Sequence, residues 1–199
     1  MFSKVWTTTA LVLALSLQVN AHAAVAPVLG LSTDPQRSDV KRPNAKNPCG
    51  AGVDAASLID SSTAVPVDET GSFKATVFNF NKGIDGSRKV KAAVDPTGTG
   101  ASFTDMTVTT NGDLVSKDLG SQPIVAALPA GTTCTGGASG QGVLTSQFKN
   151  TIGFGNCMVV SQGDAATDRK AAAAGKKGAA GKLAGLKVRI FPTVTDQSH

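Results

Sequence analysis

The sequence is poor in the residues that most enzymes and nucleic-acid binders rely on. Its 199 residues include no tyrosine, one tryptophan and two histidines, and 17% are charged. It has no G-x-G-x-x-G opening a helix, no P-loop and no H-E-x-x-H, so the nucleotide-dependent and metalloprotease classes marked by those motifs are excluded. A Ser-His-Asp set would have to recruit His22 or His199, each near one end of the sequence. Glu69 is the only glutamate and the aspartates are scattered, which leaves a paired-carboxylate hydrolase open. With 22 glycines and few charges, the composition points away from a helical bundle. The length suits one domain with a real core.

Long apolar runs are also scarce, and the clearest lies at the start. Lys4 precedes the run Ala10–Leu17, and small residues follow. The run is shorter than the ~20 residues of a membrane span, so residues 1–21 read as a secretory signal peptide. Cleavage after Ala21 leaves His22 first; cleavage after Ala23 also fits. No other segment is apolar enough to cross a bilayer.

The formal charge of +5 is unevenly spread. Residues 22–163 carry 11 basic and 11 acidic side chains, whereas residues 164–199 carry seven basic against three acidic. A neutral body has no electrostatic footprint for nucleic acid. The three cysteines, Cys49, Cys134 and Cys157, would meet an oxidising compartment on secretion. Three is odd, so one is left over within a monomer. Cys134 and Cys157 lie near the ends of predicted strands in one region and are the expected bridge. Cys49 is then buried, capped or paired between chains. No two cysteines are close in sequence and no histidine accompanies them, which disfavours a zinc site.

From Val25 to Gly52 four prolines predict an extended crossing segment. Asp54 can cap a short helical turn over Ala55–Ile59. Beyond it the period is two. Strands are expected over 73–80, 89–94, 103–110, 124–128, 142–149 and 157–161, with a short run at Val115. Asp85-Gly86 is a turn signal between the first two, and Asn111-Gly112 closes the third. This pattern predicts an all-β fold, an antiparallel β-sandwich. Phe73, Phe78, Phe80, Phe103, Phe148 and Phe154 read as its core. A sugar-stacking platform would call for exposed tryptophan or tyrosine, and residues 22–199 contain neither. Residues 164–199 include an Ala/Gly/Lys stretch and read as a flexible basic tail suited to anionic surfaces, with a more apolar end from Leu183 to Phe191.

Several blocks carry a family resemblance. Asn47-Pro48-Cys49-Gly50, Asp85-Gly86-Ser87-Arg88, Ala127–Gly131 leading into Cys134-Thr135-Gly136-Gly137, and Gly153-Phe154-Gly155-Asn156-Cys157 with Val159-Val160-Ser161 recur in order. From about His22 to Gly163 the chain resembles the fungal secreted Egh-sixteen-like virulence factors. The resemblance implies a secreted β-sandwich at the fungal surface or host interface, with no established reaction. Members often have a further cysteine between the last two blocks, where this chain reads Gln141-Gly142-Val143-Leu144.

His22, Pro27, Arg42-Pro43 and Asn47-Pro48-Cys49 are also similar to the start of lytic polysaccharide monooxygenases. There an N-terminal histidine holds copper through its amine and ring, with a second histidine as third nitrogen. Between residues 23 and 198 no histidine occurs, and Asp85 is the candidate to complete a site with His22. The expectation is thus a secreted, non-enzymatic binding or structural module contacting wall polysaccharide or a host surface. The alternatives are a copper-binding monooxygenase-like protein using His22 and Asp85, and a basic-tail effector at membranes.

Overall fold

The computed structural model describes residues 22–138 and 143–163. The expected signal peptide, the basic tail, and Gln141 and Gly142 of the Gln141–Leu144 stretch lie outside them. Eight strands dominate: β1 (Ala23–Ala26), β2 (Ala64–Pro66), β3 (Ser72–Asn79), β4 (Val90–Asp95), β5 (Thr104–Thr110), β6 (Gly120–Ala127), β7 (Val143–Asn150) and β8 (Gly155–Ser161). Among the described residues helix is confined to α1 (Ala55–Leu58) and a 3-10 turn at Arg37–Asp39. The period of two works as a half-buried strand requires. In β3, Phe73, Ala75 and Val77 point inward, and Lys74, Thr76 and Phe78 point outward. In β4, Val90, Ala92 and Val94 alternate in the same way with Lys91 and Ala93.

The strands form one sheet in the order β1-β3-β6-β5-β4-β7-β8-β2. All pairs are antiparallel except β2 with β8, so the sheet is mixed and the expectation of a purely antiparallel arrangement is corrected. The sheet curls. Its register shifts between Val108 and Thr110 of β5, and such an irregularity bends a strand. Residues of β1, β3 and β6 thereby share one core with residues of β4, β7 and β8, including Val25, Val77, Ile124, Val94, Phe148 and Met158. Phe73 meets Phe148 edge to face, with centroids 6.4 Å apart.

A side chain joins the two ends of the curl. Asn156 of β8 accepts from the Val25 amide (2.7 Å) and donates to the Val25 carbonyl (2.8 Å). Its buried amide thus acts as a peptide group, pairing β1 with β8 where no strand ladder runs. The Leu29 amide donates to the Cys157 carbonyl just beyond.

Several expectations change. β1 and β2 fall where no strand was expected; both are short, and β1 is buried on both faces, so neither alternates. β6 begins at Gly120 rather than Ile124 and includes Pro123. Its pairing with β5 runs only from Val125 to Ala127, so Pro123 lies where β6 has one neighbour, as a proline requires. The Asp85-Gly86 turn does not close a hairpin, because β3 and β4 are not adjacent in the sheet. The α1 turn forms, yet Asp54 makes no side-chain cap.

The disulfide expectation is also overturned. Cys49 is bonded to Cys157, and Cys134 is free and buried. The cause is the alternation along β8. Met158 and Val160 face the main core, where Cys134 lies. Cys157 and Val159 face the opposite side, against Leu29 and Cys49 of the crossing segment and Ala55 and Ile59 of the α1 turn. The crossing segment and the α1 turn cover the outer face of β8, so every residue of the strand is buried. Burial alone pushes the Cys134 thiol up to about 12.

Candidate binding surface

One end of the sheet gathers His22, the end of β3, the start of β4 and two long connections. The first connection runs from Phe80 to Lys89, the second from Asn111 to Leu119. Asn79, buried at the end of β3, donates to the carbonyls of Asn81 (2.7 Å) and Asp118 (2.8 Å). It accepts from Arg88 Nε at 2.8 Å, and Arg88 Nη2 donates to the Asp118 carbonyl at 2.7 Å. The amides of Arg88 and Lys89 both donate to the Asp113 carbonyl. Gly83 and Ser116 exchange backbone hydrogen bonds, and Ser116 Oγ donates to the Gly86 carbonyl at 2.5 Å. Asn111 pairs with both backbone groups of Val90. The two connections are therefore knitted to each other and to the sheet.

The Asp85-Gly86-Ser87-Arg88 block acquires a physical reason here. A Cβ on Gly86 would stand 1.6 Å from the Asn81 carbonyl oxygen, so no other residue fits without moving backbone. Gly112 is similar: its Cβ would meet the Arg88 carbonyl oxygen at 2.5 Å. Ser87 is fully buried, and its carbonyl accepts from Asn150 Nδ2. Arg88 is the strut, and it also approaches Asp113 at 3.9 Å.

On this scaffold four large apolar side chains are exposed: Ile84 (53%), Leu114 (44%), Val115 (53%) and Leu119 (59%). They are the exposed large hydrophobic residues among those described. All four sit on the two pinned connections, interspersed with Lys82, Asp85, Asp113, Lys117 and Asp118. Scattered exposed apolar residues need no explanation; four on two joined loops make this end the candidate contact surface. The sequence marked His22, the Asp85–Arg88 block, Asn111-Gly112 and Val115 at this end but not the exposed apolar set, since exposure is invisible in a pattern of residue types.

The structure places the two expected copper ligands at this end without joining them into a metal cluster. His22 is buried, its ring edge-on to Phe154 with centroids 4.5 Å apart. The Arg42 guanidinium lies over the same Phe154 ring at 4.5 Å. The His22 carbonyl accepts from the Phe80 amide, while Nδ1 has no hydrogen-bond partner. Asp85 is exposed on its loop. Among the described residues no three His, Cys, Asp or Glu side chains come together as a metal group. His22 therefore offers one orphaned ring nitrogen, and the side chains present do not make up a full copper set.

At the opposite end of β4, Asp95 is fully buried. Burial would raise its carboxyl, but hydrogen bonds from the Thr97 hydroxyl and amide, the Ala101 amide and the Thr99 hydroxyl outweigh it. The net effect holds Asp95 below the ordinary carboxylate range. It organises the Pro96–Gly100 loop, a structural duty. Among the described residues no helix is long and apolar enough to cross a membrane.

The family model of the Egh16-like virulence factor matches residues 17–146. No curated protein matches the chain.

Proposed function

The chain belongs to the Egh16-like virulence factor family, and from that we propose a secreted, non-enzymatic binding module working at the fungal wall or host surface. The carrying observation is the pinned loop end with Ile84, Leu114, Val115 and Leu119 exposed on it. Loops that are already ordered lose little conformational freedom on binding, so apolar burial there converts more fully into affinity. The virulence-factor family and the Cys49–Cys157 disulfide fit an extracellular protein.

The test uses the purified mature chain against insoluble wall polysaccharide and isolated host-surface material. Leu114→Asp with Leu119→Asp should reduce retention about tenfold or more, since each removes apolar burial of ~1–2 kcal/mol. Both side chains are exposed, so Tm should stay within a few degrees. Equal retention of variant and parent would remove the loop end as the binding surface. Sequencing the mature N-terminus checks the secretory cleavage.

The orphaned Nδ1 of His22 favours a second reading, copper held by His22 with Asp85. Calorimetry with Cu(II) on the mature chain decides it: stoichiometric binding lost in His22→Ala supports copper, and binding that survives that change rejects this site.

A further inference from the structure

A second surface stands on the outward face of β4, β5 and β7. It is a groove of about 620 Å3 whose lining includes Lys89, Lys91, Lys149 and Asn150. In the β4–β7 ladder Lys91 lies directly opposite Lys149. Like charges in that position destabilise a sheet, and here neither lysine forms a salt bridge. Among the described residues the one salt bridge is Arg88 with Asp113, so none of the three lysines has a carboxylate partner. Asp105 is the one acidic residue lining the groove. The next row of the face reads Asp105, Ala93, Gln147 across β5, β4 and β7. Ala93 is the small residue of that row, between longer side chains.

We propose that this groove binds an acidic polysaccharide, with Lys91 and Lys149 as the paired cations that hold its charged groups. Charge complementarity carries the choice: three ammonium groups face one carboxylate, on a body whose residues 22–163 are neutral as a whole. Lysine is a point charge with three donors and suits anionic groups spaced along a chain, whereas planar bidentate recognition of phosphate favours arginine. The lining holds no arginine and no aromatic ring on which a nucleic-acid base would stack. Thr151 adds an exposed hydroxyl that matches a hydroxyl-rich ligand, while the Asn150 amide is spent on the Ser87 carbonyl and the Ile152 and Phe154 amides. A membrane surface calls for protruding apolar side chains, and a concave site with Ala93 in its lining does not supply them. This proposal is separate from the loop-end reading and does not depend on it.

The test is calorimetry or fluorescence binding with the full chain at low and physiological salt. The probes are polygalacturonate, dextran sulfate, fully methyl-esterified polygalacturonate and vesicles containing anionic phospholipid. Binding to either acidic polymer, carboxylated or sulfated, supports the proposal when Lys91→Ala with Lys149→Ala raises Kd about tenfold or more. The two polymers identify which acid group is preferred, and the esterified polymer should not bind. Lys74→Ala on β3 is the control and should leave Kd unchanged. Lys149→Glu separates binding from folding: it sets opposite charges across the β4–β7 pair, so Tm should hold or rise while affinity falls. Binding that is insensitive to the groove variants but lost when Lys176, Lys177 and Lys182 become alanine would overturn the proposal and assign the polymer to the tail. Groove-dependent binding to vesicles without binding to either polymer would also overturn it, in favour of a lipid partner.

Discussion

Cys157 shows how much one position decides. Shifting a side chain by one place along a strand moves it to the other face, and that places Cys157 with Cys49 rather than with Cys134. The odd cysteine count was legible; the pairing was not, because Cys49 lies 108 residues away in sequence. In the chain-entropy model a bridge across so long a loop is worth about 4–5 kcal/mol. Cys157→Ser should therefore lower Tm by roughly 10–20 °C in thermal denaturation, whereas Cys134→Ala should cost much less. Asp95 makes the second prediction at this scale. Its carboxyl titrates lower in the folded protein than in the unfolded chain. The stabilisation is thus fully present above the ordinary carboxyl value of about 4. It is lost as pH falls through that value towards the lowered folded one. Asp95→Asn should flatten this part of the acid limb in a Tm-against-pH series.

At the scale of elements, long alternating strands were readable and short or doubly buried ones were not. β3 and β4 present a clean inward set of Phe73, Ala75, Val77 and Val90, Ala92, Val94. β1 offers four small apolar residues with no polar face, so it carries no period to read. Its place is fixed by β3 on one side and by the Asn156 amide on the other. Asn156→Ala leaves the Val25 amide and carbonyl buried without those partners. The expected cost is about 3 kcal/mol in denaturant unfolding, with faster hydrogen exchange concentrated in β1. A parallel Asn156→Asp variant should not restore stability, because a carboxylate lacks the donor that reaches the Val25 carbonyl. The turn signal at Asp85-Gly86 was real but misassigned in role. Gly86 permits a close approach to Asn81 within a crossover, not a hairpin reversal.

Across the whole molecule, the charge division of the sequence leads to a prediction for residues 164–199, which lie outside the described structure. Their Ala, Gly and Lys content offers little apolar surface against a backbone ordering cost of ~1–2 kcal/mol per residue. A chain ending at Gly163 should melt at the same temperature as the full chain and bind anionic vesicles more weakly at low salt, while keeping the groove-dependent binding of acidic polysaccharide. A Tm several degrees lower would mean that the apolar end from Leu183 to Phe191 docks on the fold. The sequence by itself determined the all-β class, most strand positions and the family, because period-two burial and short local blocks are written in neighbouring residues. Only the tertiary structure decided the curl of the sheet, the parallel β2–β8 pair, the Cys49–Cys157 bridge and the two surfaces. Each of these depends on which distant segments meet, and on which face of a strand a side chain then finds itself. Local pattern fixes the alternation; long-range packing fixes what each face meets.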